Sequence, residues 1–147
     1  MTGGRIKRLT KYLDKTFIAT YGDGLSNVNI KNLVNFHNKK KKLVTVTAVR
    51  PPARFGAIKI VKDTVKYFRE KNNLDEGWIN GGFFVMDPKF LKYIKNDNTY
   101  LEQEPLKNIT KKNQLVAYKH YGFWQCMDTL RDKEILERKI KNKEYID

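Results

Sequence analysis

The chain has 147 residues, 40% of them apolar, which is the usual size of one domain with one core. Its formal charge of +14, from 30 basic and 16 acidic residues, fits nucleic acid, an anionic membrane or phosphorylated small molecules as a partner, or simply a codon composition that favours Lys and Asn, since the lysines are scattered rather than striped. The start "MTGGRIKRLT" lacks the apolar core of a signal peptide, no apolar run is long enough for a membrane helix, and one cysteine excludes an internal disulfide and a multi-Cys zinc site.

In chain order, Ile6, Leu9 and Leu13 fall at helical spacing, so Gly4 to Leu13 reads as a short helix with Thr2 available as its cap. Phe17 to Tyr21 is a continuous apolar run, short enough for a buried strand. Ile30, Leu33, Val34 and His37 make one apolar helix face, and the lysines from Lys39 to Lys42 complement the negative end of that helix. Val44, Val46 and Ala48 alternate with Thr45 and Thr47, the period of a strand.

"RPPARFG" breaks regular structure, and "AIKIVKDTVKYFRE" predicts a hairpin turning near Lys62 and Asp63. "WINGGFFVMDP" is a strand interrupted by Gly81 and Gly82, the mark of a bulge or of a ligand close to the backbone. Pro88 and Pro105 each suit the first turn of a helix, the first carrying Leu91 and Ile94 and the second Leu106 and Ile109. Leu115 to Tyr118 is a short strand, and a charged helix runs from about Thr129 to Lys143. Alternating strands and helices predict an α/β fold with a largely parallel sheet, as a single domain over residues 1–147.

Two aspartates carry the chemical interest. Asp23 follows the run Phe17 to Tyr21 and precedes a helix, and ligands of open α/β sheets collect beyond such strand ends. Asp-Gly is equally a common turn. Asp128, in "GFWQCMDTLRD", also lies between a strand-like segment and a helix, where aspartate often serves as an N-cap. Together the two are a stronger metal candidate than either alone, since Mg²⁺ is commonly held by one or two carboxylates plus substrate phosphates.

Other polar groups suit a phosphorylated ligand. Thr2, Gly3 and Gly4 fall at a helix start, where backbone N–H groups attract anions or are simply capped. Lys71 follows Glu70 at a strand end, as a phosphate ligand or a surface ion pair. Asn80 precedes the glycine pair, placed to bond a sugar hydroxyl or to serve the turn. Trp124 and Cys126 read as packing residues, and His37 and His120 as structural or surface groups.

"MTGGRIKR", "TYGDGLSNVNI", "PPARFGAI", "FREK", "INGGFFVMDP", "EQEPL" and "GFWQCMDTLRDK", in this order, resemble the glucose-1-phosphate cytidylyltransferase family of sugar nucleotidyltransferases over nearly the whole chain. The resemblance implies a Rossmann-like nucleotidyltransferase fold, with a mixed, mostly parallel sheet and flanking helices. It implies transfer of cytidylyl from CTP to glucose 1-phosphate in the cytoplasm, making CDP-glucose for surface polysaccharides such as O-antigen, with Mg²⁺ as cofactor. Asp23 and Asp128 match the family's metal-binding aspartates. Lys71 matches the lysine on the sugar phosphate, with Glu70 on the sugar, and Asn80 and Gly56 match sugar-side positions. Thr2, Gly3, Arg5 and Gly22 match the nucleotide side, Arg5 being grouped with the catalytic residues.

Two departures stand out. The family's Glu-Lys-Pro is Glu70-Lys71-Asn72 here, which loosens the loop and keeps the charge. The family's opening Gly-rich loop, of the form G-G-x-G-T-R-L, has no counterpart, so the chain resembles the C-terminal part of such an enzyme, a fragment of weak or no activity alone. A homo-oligomer or a complementing N-terminal half is the partner this implies. The rival reading is a basic, non-catalytic nucleic-acid-binding module, which no reader motif supports.

Overall fold

A computed structural model describes residues 1–51, 57–69 and 77–145. The chain opens with helix α1 (Thr2–Arg8), strand β1 (Phe17–Thr20), strand β2 (Gly24–Ser26), helix α2 (Ile30–Lys40) and strand β3 (Val44–Val49). The hairpin β4 (Ala57–Val61) and β5 (Thr64–Arg69) follows, turning at Lys62 and Asp63 as the sequence predicts, with Lys62 at φ 52°. Strand β6 (Ile79–Met86), helix α3 (Glu104–Lys111), strand β7 (Leu115–Lys119), strand β8 (Trp124–Cys126) and helix α4 (Leu130–Lys141) complete the order.

The central 4-stranded sheet has the order β1-β6-β3-β7. β3 and β7 pair in parallel, while β6 runs antiparallel to both β1 and β3. β1, β3 and β7 therefore point the same way and β6 alone is reversed, which makes the sheet mixed but largely parallel in strand direction. β3 and β6 lie at its centre and are buried along most of their length, because neighbours cover both faces. The register between them shifts from Val46↔Phe84 to Ala48↔Asn80, so the irregularity falls at Gly81 and Gly82, where the glycine pair predicts it.

The main core joins Val44, Phe84 and Met86 of the sheet to Phe90, Leu91, Ile94, Leu101 and Ile109. Phe84 and Phe90 are fully buried, each stabilising the fold by roughly 2–3 kcal/mol on area alone. Ile6 of α1 and Leu13 pack against this cluster, tying the start of the chain to its middle. No helix among the described residues is long and apolar enough to cross a membrane.

Three local readings are corrected. Thr2 is the first residue of α1 rather than its cap, and the helix ends at Arg8, followed by a 3-10 turn from Thr10 to Tyr12. Pro88 opens a 3-10 helix to Tyr93 whose N-cap is Asp87, with its side chain accepting from the Lys89 amide at 2.7 Å. Gly24 to Ser26 is a strand that the apolar pattern did not reveal. In contrast, α2 keeps most of its predicted face: Leu33 and His37 are buried and Val34 is half-buried, while Ile30 at the first turn is exposed, and the Asn29 side chain caps the helix by accepting from the Asn32 amide at 2.9 Å.

Candidate functional site

The site is built by the small ladder between β2 and β8. Gly24 pairs with Cys126, Leu25 with Gln125 and Ser26 with Trp124, all antiparallel. The Met127 amide extends the ladder by donating to the Asp23 carbonyl at 2.8 Å, and the Asn27 amide closes its other end on the Phe123 carbonyl at 3.2 Å. Antiparallel pairing thus carries Asp23, in the turn before β2, to the residue preceding Asp128.

Both aspartates are exposed and both line one cavity of about 980 Å³. One wall of it holds Asn80, Gly81 and Gly82. Trp124 ties this wall to the ladder by donating its indole N–H to the Gly81 carbonyl at 2.8 Å. Gly81 is close-packed there: a Cβ would lie 2.8 Å from Val49 Cγ1 and 3.0 Å from the Thr47 carbonyl. The side chain of Trp124 is thus both a structural tie and part of the cavity.

α4 forms another wall. Arg131, Ile135 and Lys139 line the cavity at successive intervals of four residues, the spacing of one helix face. Thr129 and Asp132 hold the helix start in a capping box: the Asp132 amide donates to Thr129 Oγ1 at 3.2 Å, and the Thr129 amide to Asp132 Oδ2 at 3.1 Å. The cap belongs to Thr129, so Asp128 is left outside the helix with its carboxylate toward the cavity. Ligand atoms of Cys126, Asp128 and Asp132 lie within 4.8 Å of one another.

The donor chemistry fits a hard divalent cation. Asp23 and Asp128 offer oxygen ligands on the same cavity, while Asp132, close to Asp128 and the Cys126 thiol, has Oδ2 engaged in the capping box. Arg131 and Lys139 line the same cavity, and both side chains can pair with an anionic group there. Sequence reading missed both cations; the four-residue spacing was present, but it points at the cavity only once β8 has placed α4.

The nucleotide-side candidates lie elsewhere. Thr2, Gly3 and Arg5 do not line the cavity. The α1 start packs against the chain's own segment: the N-terminal amine donates to the Asp97 carbonyl at 2.8 Å and the Gly4 amide to the Thr99 carbonyl at 3.2 Å. A Cβ on Gly4 would sit 2.1 Å from the Asp97 carbonyl oxygen, so glycine is needed for this packing. Gly22 lies in the exposed turn between Tyr21 and Asp23, with nothing within 4 Å of a Cβ there. Gly56, Glu70 and Lys71 lie outside the described residues.

Tyr21 was also missed. It lines the cavity, and burial together with its bond to Glu102 raises the phenol pKa well above its ordinary value, so the group remains protonated and donating.

Residues 6–130 match the protein family described as Nucleotidyl transferase. The chain belongs to this family. It is 49% identical over 139 residues to the glucose-1-phosphate cytidylyltransferase of Salmonella typhi, an alignment covering 93% of this chain and 54% of that protein. It is 44% identical to the probable glucose-1-phosphate cytidylyltransferase of Bacillus subtilis, covering 90% of this chain and 52% of that protein. The chain thus spans about half the length of the curated relatives it matches. Among solved structures, HddC from Yersinia pseudotuberculosis superposes with a TM-score of 0.70 at 22% identity, covering 95% of this chain and 62% of that one. A putative glucose-1-phosphate thymidylyltransferase from Bacillus anthracis gives a TM-score of 0.68 at 16% identity, covering 100% and 62%. These likenesses show that the chain has the Rossmann-like fold of these structures.

Proposed function

We propose that this nucleotidyltransferase chain carries the metal- and sugar-phosphate-binding part of a glucose-1-phosphate cytidylyltransferase, which joins CTP and α-D-glucose 1-phosphate into CDP-glucose and pyrophosphate. The observation that carries the reading is the convergence of Asp23 and Asp128 on one cavity through the β2–β8 ladder. Identity near half to cytidylyltransferases favours CTP and glucose 1-phosphate among the family's substrates.

The reaction is an in-line displacement: a phosphate oxygen of glucose 1-phosphate attacks the α-phosphorus of CTP, and pyrophosphate leaves with the bonding electrons. Positioning and charge neutralisation do the catalysis, and no protein nucleophile is required. Mg²⁺, when bound by Asp23 and Asp128, supplies Lewis-acid stabilisation of the charge that builds up on the phosphate oxygens. Arg131 and Lys139 add positive charge on the α4 side of the cavity. Asn80, beside Gly81 and Gly82, bonds a sugar hydroxyl. By family resemblance Lys71 aims the attacking phosphate, Glu70 and Gly56 contact the sugar, and Thr2, Gly3, Arg5 and Gly22 serve the nucleotide side. CDP-glucose made in the cytoplasm would feed deoxysugars of surface polysaccharides such as the O-antigen of lipopolysaccharide.

Isothermal titration of the purified chain with glucose 1-phosphate and with CTP, with and without Mg²⁺, tests the reading. The expected result is saturable binding that strengthens with Mg²⁺. Absence of any Mg²⁺ effect on either ligand would count against it.

A further inference from the structure

Tyr21 stands just before the turn that carries Asp23, and its side chain is held from several directions. The ring meets Phe84 edge-on, with centroids 5.6 Å apart at 64°. It occupies the space beside Gly82, where a Cβ would fall 3.0 Å from Tyr21 Cδ2. Its hydroxyl donates to Glu102 Oε1 and accepts from Asn80 Nδ2, the latter at 3.3 Å. Asn80 Oδ1 accepts the Gly82 amide at 2.9 Å. At the far end, Glu102 Oε2 accepts from the Thr2 hydroxyl at 2.9 Å, and the Thr2 oxygen accepts the Leu101 amide at 2.9 Å. Tyr21, Asn80 and Gly82 line the cavity, whereas Glu102 and Thr2 do not.

The chemistry of these groups gives the chain of bonds a direction. An ionised carboxylate only accepts, so Glu102 commits the Tyr21 proton to itself and leaves the phenol oxygen free to accept. That oxygen then holds one N–H of Asn80, while the Gly82 amide holds the Asn80 oxygen. A carboxamide rotated by half a turn would lose both bonds, so its donor and acceptor ends are specified. Each end retains capacity for a further partner: a second N–H and a second lone pair. A sugar hydroxyl both donates and accepts, and matches that pair.

We infer that Glu102 is a positioning residue for the sugar-side wall: acting through Tyr21, it orients the Asn80 carboxamide toward a ligand hydroxyl. The ligand's identity rests on the function proposed above, but the bond network itself does not.

The test is carried out on the full chain with the variants Glu102→Ala, Glu102→Gln and Tyr21→Phe. Without ligand, the side-chain NH₂ resonances of Asn80 are followed by ¹⁵N NMR. They are expected to shift and exchange faster in Glu102→Ala and Tyr21→Phe, with partial return in Glu102→Gln, whose amide oxygen still accepts from Tyr21. Titration with glucose 1-phosphate and with inorganic phosphate follows. Glu102→Ala is expected to lose about tenfold in affinity for glucose 1-phosphate, the size of a lost charge-assisted bond, with phosphate binding unchanged. Resonances of distant amides serve as the control for folding. Unaltered Asn80 resonances overturn the network, and altered resonances with unchanged glucose 1-phosphate affinity overturn the positioning role. Equal wild-type affinity for the two ligands overturns the sugar reading and the positioning role with it, while the ligand-free spectra still decide the network.

Discussion

The Met127 amide donates to the Asp23 carbonyl at 2.8 Å, one rung beyond the Gly24↔Cys126 pair. That bond sets the distance between two turns that are remote in sequence and puts Asp23 and Asp128 at the same cavity.

Replacement of either carboxylate is expected to impair cation binding without unfolding the chain. Asp23→Asn and Asp128→Asn should each weaken Mn²⁺ binding, used as a paramagnetic stand-in, by at least about tenfold, the lower range for losing even an outer-shell partner of a metal. Both side chains are exposed, so stability should change by no more than about 0.5 kcal/mol. Electron paramagnetic resonance measures the first and thermal unfolding the second. Normal Mn²⁺ binding in both variants would remove the pair from the proposed role.

Gly82→Ala is expected to destabilise the fold by about 1–3 kcal/mol. Gly82 has φ +79°, the left-handed region that favours glycine, and the new methyl would press on the Tyr21 ring. Urea unfolding reads the cost; an unchanged midpoint would mean that the bulge relaxes freely.

The capping box gives a separate handle on the α4 wall. Thr129→Ala should cost about 1 kcal/mol and fray the first turn of α4. Amide exchange at residues 130–133 should accelerate, and binding of phosphate ligands should weaken because Arg131 loses its fixed position. Leu136, buried farther along α4, should keep the later turns protected.

His37 predicts an acid sensitivity. It is buried against Thr45, with Nδ1 2.9 Å from Thr45 Oγ1, and burial holds its pKa below the ordinary 6.5, opposed in part by the Asp87 carboxylate. The folded state therefore prefers the neutral ring. Above pH 6.5 both states are neutral and this group adds no pH dependence. As pH falls below 6.5 the unfolded chain takes up the proton first, so stability declines until the folded pKa is passed. Melting temperatures between pH 7.5 and 5 should show this slope, and His37→Gln should flatten it.

Sequence is enough for the elements whose pattern is local. The α2 face, the Lys62–Asp63 hairpin and the interruption at Gly81–Gly82 all follow from spacing within a few residues, where side-chain period and backbone freedom act directly. It also named Asp23, Asp128 and Asn80, through residue type and family resemblance. Which groups meet depends on how the folded chain packs. β2 and β8 have three residues each, too short to show a period, and their pairing depends on contacts between distant parts of the chain. The same holds for the Thr2–Glu102–Tyr21–Asn80 bonds and for the packing of the α1 start against Asp97 and Thr99. Hydrogen bonds between remote residues leave no periodic trace in sequence, since each demands only one donor and one acceptor brought together by a core formed elsewhere.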